Sequence, residues 1–255
     1  MKIIKDIAYS NDNCVQKSLD IYLPEGDNFP TFFYLHGGGL ESGSKEEAAA
    51  FGRELANKGI AVVSADYRMY PDAVYPDFIN DSAEAVYWTK QNMKSYGADG
   101  RLYIGGSSAG GYLSMMLCFD KKYLAGYNID ADEINGFIFN AGQPTVHFNV
   151  LKERGTDARR VVIDEAAPLY HVLERSYPPM LVIVSDNDIE NRYEQTVLLC
   201  STLKQFGCDE SKVTLKVMAN TSHCSYIDSF DDKGNSIFAE MISSFINGQV
   251  PLISE

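Results

Sequence analysis

The stretch Gly105-Gly106-Ser107-Ser108-Ala109-Gly110-Gly111 contains G-x-S-x-G centred on Ser108. Leu102-Tyr103-Ile104 before it reads as a short buried strand, and Tyr112 to Leu117 after it as a buried helix. A strand that turns into a helix through one serine makes a tight, strained corner with the hydroxyl pushed outward. Gly106 and Gly110 are the residue type such a corner needs, because the two backbones crowd together there. Ser107 is the competing serine, but the last position of its own frame is Ala109 instead of glycine.

Strand-like and helix-like segments alternate along the chain, which signals a mostly parallel sheet covered by helices, an α/β fold. Eight strands are expected: Ile3 to Tyr9 and Ser18 to Leu23 as an opening antiparallel pair, then Thr31 to Leu35, Ile60 to Ala65, Leu102 to Ile104, Ile134 to Asn140, Met180 to Val184 and Lys212 to Met218. Helices are expected over Lys45 to Lys58, Asp77 to Tyr96, Tyr193 to Phe206 and Phe230 to Ile246. Residues 141–178 break the rhythm, with Pro144 and Pro168 near their ends, charged stretches and no clear strand. They are expected to form a small helical cap inserted in a single domain of residues 1–255.

The net charge is −13, from 35 acidic and 22 basic residues, which makes nucleic acid or an anionic bilayer a poor partner. Five cysteines are scattered, odd in number and without a C-x-x-C pair, so neither a disulfide framework nor a zinc site is expected. The N-terminal residues carry no apolar signal region, and no run is long enough to span a membrane. The expected setting is cytoplasmic.

Acyl transfer by a serine needs a nucleophile, a base, an acid to orient the base, and donors for the developing oxyanion. Ser108 is the candidate nucleophile. His36-Gly37-Gly38-Gly39 follows the strand Thr31 to Leu35 and leaves backbone N–H groups uncovered, as a hole for an oxyanion requires. The N–H of Ala109, next after the serine, is a further donor. Of four histidines, His36 braces the glycine loop, and His147 and His171 lie in the 141–178 segment. His223 stands in a polar loop after the last strand and is the candidate base. The acid lies in Ser185-Asp186-Asn187-Asp188; Asp188, further along the loop, has more room to reach His223 than Asp186 has. The order serine, acid, histidine is that of the α/β-hydrolase arrangement.

These motifs resemble the hormone-sensitive-lipase-like esterase group of α/β-hydrolases, in its compact bacterial form. The resemblance rests on Leu19-Asp20-Ile21-Tyr22-Leu23-Pro24, His36-Gly37-Gly38-Gly39, Gly43-Ser44-Lys45, Asp66-Tyr67-Arg68, Gly106-Ser107-Ser108-Ala109-Gly110, Asp188 and His223. It implies that the amides of Gly38, Gly39 and Ala109 form the oxyanion hole. In larger members the glycine loop follows a long arm that helps build a cap, whereas 35 residues precede His36 here. The resemblance therefore implies a small lid drawn from 141–178 and short acyl groups, not the long chains of a true lipase. The expected activity is a serine carboxylesterase with no cofactor or metal, acting on a small-molecule ester such as an acetylated carbohydrate, and rising with pH through the histidine range. An arylformamidase and a non-catalytic binding member of the same fold are the alternatives, and a homodimer is an open possibility. Tyr67, Tyr70, Tyr75 and Phe148 are candidate pocket walls or core residues.

Overall fold

Apolar side chains along a strand point alternately to the two faces of a sheet, so strands that are apolar throughout demand cover on both sides. The computed structural model describes residues 1–249 and has this form. Residues 250–255 of the expected single domain lie outside the described residues. In chain order the strands are β1 (Lys2–Ala8), β2 (Ser18–Leu23), β3 (Phe29–Leu35), β4 (Ala61–Ala65), β5 (Ala98–Ser107), β6 (Gly136–Asn140), β7 (Met180–Asn187) and β8 (Val213–Ser222). The helices are α1 (Ala49–Asn57), α2 (Asp77–Asn92), α3 (Ala109–Phe119), α4 (Lys122–Ala125), α5 (Phe148–Glu153), α6 (Arg192–Gln205) and α7 (Ile237–Ile246).

The eight strands form one sheet in the order β1-β2-β4-β3-β5-β6-β7-β8. β2 pairs antiparallel with both β1 and β4, and every pairing from β4 onward is parallel. Within β3, Phe32 and Tyr34 join the core under α1 and α7, with Phe51, Leu55, Phe238 and Ile242. Phe33 and Leu35 join the opposite core under α2 and α3, with Phe78, Val86, Leu113 and Met116. Each such side chain, fully buried, contributes roughly 2 kcal/mol of transfer free energy.

The opening antiparallel pair and all eight expected strands are present, with shifted ends. β5 begins four residues earlier than expected, because Ala98 pairs with Phe29 before the polar Asp99-Gly100-Arg101 stretch. The C-terminal helix starts at Ile237, not Phe230: Asp231 accepts backbone N–H bonds from Lys233 and Asn235, and Ser236 then caps the helix. Residues 45–48 and 93–96 are short 3-10 turns at the ends of α1 and α2. Residues 141–178 contain α5 and a 3-10 turn at Pro168–His171. Val146, Val150, Leu151 and Leu169 of this segment are buried in the same core as α2 and α3, while Arg159 and Arg160 are exposed.

Parallel strands carry their loops to one rim, and ligands of such sheets collect outside the carboxyl ends of the strands. β5 ends at Ser107, β7 at Asn187 and β8 at Ser222, so Ser108, Asp188 and His223 each begin a loop or helix on that rim.

Candidate active site

Ser108 has φ 53° and ψ −110°, a sparsely populated conformation for a residue with a side chain. Its N–H donates to the Asn140 carbonyl at the end of β6 (2.8 Å), and its carbonyl accepts from Tyr112 N in α3 (3.0 Å). The corner closes only because its glycines lack side chains. A Cβ on Gly110 would fall on the Leu35 carbonyl oxygen, and one on Gly106 would lie 2.5 Å from the Gly110 carbonyl.

The structure brings Ser108, His223 and Asp188 into one hydrogen-bonded array. His223 Nε2 lies 2.8 Å from Ser108 Oγ, and His223 Nδ1 lies 2.5 Å from Asp188 Oδ1. The carboxylate fixes the tautomer: Nδ1 carries the proton and donates to Asp188, leaving Nε2 to accept the serine proton. Asp188 is almost fully buried and also accepts the Ile189 N–H (2.8 Å) and the Ser185 N–H (3.3 Å). Burial by itself would raise its carboxyl, but the bond and charge of His223, the Ile189 N–H and the nearby Arg192 together hold it below the usual range. Asp186 is exposed and turned elsewhere, accepting N–H bonds from Asn220 (2.8 Å) and Thr221 (3.2 Å) of β8.

The glycine loop gets its shape from bonds to its carbonyls. In a trans peptide the C=O and the following N–H point in opposite directions. His36 Nδ1 donates to the Gly37 carbonyl (2.7 Å), which turns the Gly38 N–H the other way. The Gly38 carbonyl accepts from Glu41 N, Ser42 N and Ser42 Oγ, which does the same for the Gly39 N–H. Gly38 adopts φ +101°, open to glycine at no cost. The Ala109 N–H is in the first turn of α3, where no helical acceptor exists. Among the described residues the N–H groups of Gly38, Gly39 and Ala109 engage no acceptor.

A cavity of about 380 Å³ opens over these groups, walled by Phe148, Ile189, Cys224 and Ile227 beside Ser108, His223 and the glycines. A larger hollow of about 520 Å³ near Lys17 and Lys45 has serines and Cys14 on its wall but no histidine among its lining residues. Of the four aromatic candidates, Phe148 alone lines the cavity. Tyr67 is fully buried instead, stacked on His36 at 4.4 Å with its hydroxyl donating to the His36 carbonyl. Tyr75 donates to the Glu165 carbonyl (3.0 Å), and Tyr70 takes no place on the wall. His171 sits 2.9 Å from the Glu165 carbonyl, away from the array.

Several residues with a part in the geometry carry no sequence signal. Asn149, the second residue of α5, is buried and donates its side-chain amide to the Gly39 carbonyl. Glu47 accepts the Gly37 N–H and the Tyr34 hydroxyl, and lies on the cavity wall. Behind Ser108, the Ser107 hydroxyl meets Tyr34 (2.7 Å) and Asn140 (2.8 Å) and is fully enclosed. Arg192 of α6, buried and pulled down to about 10 by that burial, donates to the Ala141 carbonyl and to Gln143 (3.3 Å).

His36 and His147 are both buried, and burial holds both imidazoles below their ordinary range, His147 the more so. The unfolded chain protonates its histidines near pH ~6.5, where the fold still holds these two neutral. The unfolded state then binds more protons, so stability falls as pH drops below that value. The urea midpoint is expected to fall between pH 7.5 and 5.5 at constant slope, and to fall less in His147→Gln. A midpoint that holds steady contradicts this.

The strand order, the elbow and the hydrogen-bonded array define the α/β-hydrolase class of fold. The BD-FAE family model matches residues 19–151, just over half of the chain, and the chain belongs to that family. Over 118 residues it is 39% identical to carboxylesterase NlhH of Mycobacterium tuberculosis, covering 45% of this chain and 37% of that one. Over 116 residues it is 34% identical to a probable isoprenylcysteine alpha-carbonyl methylesterase of Oryza sativa, covering 44% of this chain and 27% of that protein. The matched segments thus span about a quarter to a third of the curated relatives. Among solved structures, an inhibited esterase B of Lactobacillus rhamnosis superposes with TM-score 0.79 at 18% identity, covering 97% of this chain and 87% of that one. A truncated carbohydrate esterase from gut microbiota gives TM-score 0.78 at 19% identity, covering 98% and 96%. These last two likenesses establish the fold.

Proposed function

We propose that this chain is a serine carboxylesterase for short-chain acyl esters, with Ser108 as nucleophile, His223 as base and Asp188 as the acid that orients it. The observation that carries the reading is the unbroken Asp188–His223–Ser108 array facing the unengaged N–H groups of Gly38, Gly39 and Ala109. Ser108 Oγ attacks the ester carbonyl carbon while its proton passes to His223 Nε2. The carbonyl oxygen takes up the negative charge and is received by the three N–H groups, each such donor worth about 3 kcal/mol in the transition state. As the tetrahedral species collapses, the bond to the alcohol oxygen breaks and His223 returns the proton to it. Water, deprotonated by His223, then attacks the acyl-serine; the acid leaves and Ser108 regains its proton. Asp188 remains ionised throughout and stabilises the imidazolium.

The carboxylesterase names of the relatives support the ester-cleaving class. The cavity volume favours small acyl groups. We place residues 141–178 as the cap, since α5 supplies Phe148 to the cavity wall and Asn149 to the glycine loop. Acetylated carbohydrates are the substrate class and the cytoplasm the setting that we propose with it. Among the described residues no helix is long and apolar enough to cross a membrane.

A fluorophosphonate probe tests the reading against a binding protein of the same fold. Covalent labelling is expected, with the adduct on Ser108 by peptide mass and absent from Ser108→Ala. An intact cavity that takes no label, or a label on another residue, overturns the assignment.

A further inference from the structure

Glu47 plays no part in the acyl transfer above, yet its carboxyl is on the wall of the same cavity. Oε1 is engaged by the Tyr34 hydroxyl and, at 3.3 Å, by the Gly37 N–H. Oε2 shares only that N–H, at 3.2 Å. A carboxyl oxygen accommodates two partners, so Oε2 keeps capacity for one more on a residue that lines the cavity. The neighbouring wall, from Cys224 and Ile227, offers nothing comparable.

A chain of hydrogen bonds runs behind Oε1, with the Tyr34 hydroxyl donating to that oxygen. Tyr226 O–H donates to Asn140 Oδ1, and Asn140 Nδ2 donates to Ser107 Oγ (2.8 Å). Tyr34 has one proton to share between Ser107 Oγ (2.7 Å) and Glu47 Oε1; given to the carboxyl oxygen, it leaves the Ser107 hydroxyl to donate to Tyr34. Glu47 is the terminus of this relay, and Oε2, bonded only to the Gly37 N–H, is its less occupied end.

We propose that Glu47 is a specificity-determining residue that hydrogen-bonds a hydroxyl of the bound ester through Oε2, so that hydroxyl-bearing esters are preferred over alkyl esters of the same shape. The inference rests on the esterase reading. The carboxyl suits a hydroxyl better than an ammonium group. Burial pushes it up from its ordinary range, and Asp228 adds to the push against the opposing bonds of Tyr34 and Gly37. An alcohol O–H can donate to the lone pair that Oε2 has left.

The test uses two matched pairs that differ by one hydroxyl for one methyl. In the first pair, 2-hydroxyethyl butanoate against propyl butanoate, the hydroxyl is on the alcohol. In the second, ethyl 3-hydroxybutanoate against ethyl 3-methylbutanoate, it is on the acyl group. The wild-type chain is expected to favour the hydroxylated member of one pair by about tenfold in kcat/KM, the size of one net hydrogen bond. The pair that responds shows which part of the ester Glu47 touches. Glu47→Met is expected to bring that ratio close to one, while Glu47→Gln, which still offers a donor and an acceptor, keeps most of it. Because a ratio is read, a general loss of activity from a loosened Gly37 cancels. If Glu47→Met does not fold, the wild-type and Glu47→Gln ratios decide. Ratios near one in both wild-type pairs, or an unchanged ratio in Glu47→Met, overturn this inference and leave the esterase reading standing. No hydrolysis of any of the four esters overturns both.

Discussion

Ser108→Ala is expected to lower kcat about a million-fold, and combining it with His223→Ala to cost almost nothing more. The reason is in the geometry. In the proposed mechanism His223 has one role toward the substrate, which is to take and return the proton of the hydroxyl 2.8 Å away. Once that hydroxyl is gone, the imidazole has nothing to activate. On this mechanism the two residues act as one unit, and their effects are not expected to add. A residual rate of about a thousand-fold over water is expected, from the three N–H groups alone. The measurement is single-turnover hydrolysis of a short p-nitrophenyl ester by both single variants and the double variant. A double variant that loses the product of the two single effects would show Ser108 and His223 acting independently, against the mechanism.

Asp188→Asn is expected to reduce kcat about ten-thousand-fold, against less than tenfold for Asp186→Asn. With an amide at position 188, the side-chain NH2 can face His223 Nδ1. The imidazole then carries its proton on Nε2, where it cannot accept from Ser108. The charge that steadies the imidazolium is also lost. Asp186 differs in what it touches. Its carboxylate receives the N–H groups of Asn220 and Thr221, so its neutralisation loosens the loop that carries His223 without changing the tautomer. Rates for both variants, with urea midpoints to separate catalysis from folding, decide the matter. Equal losses would mean that the two carboxyls share the work.

The sequence made the outline of this fold legible because the outline depends on patterns. Apolar runs such as Ala61 to Ala65 mark buried strands, and the glycines around Ser108 mark the corner through contacts no larger residue allows. The loops carrying Asp188 and His223 could be placed because each follows a readable strand. What stayed hidden depends on single polar residues at long range. Glu47 follows Glu46 on a short acidic turn and reads as solvated surface, yet the fold tucks it under Gly37. Tyr34 stands in an aromatic strand and reads as core, although its hydroxyl joins Glu47 to Ser107. Asn149 lies in a segment with no repeating pattern and Arg192 at the start of a helix, and only the folded backbone shows which carbonyls they hold. Tyr67 and Tyr75 illustrate the reverse case: aromatic character did not distinguish a cavity wall from packing beneath it.

The bond from Asn149 to the Gly39 carbonyl ties the helix that supplies Phe148 to the cavity wall mechanically to the glycine loop beneath it. On the proposed mechanism, replacing residues 141–178 is expected to release the glycine loop as well, because Asn149 holds the Gly39 carbonyl. If the proposed roles hold, selectivity and rate are coupled at one side-chain amide, and a redesigned entrance is expected to keep its turnover only with a donor at that same point.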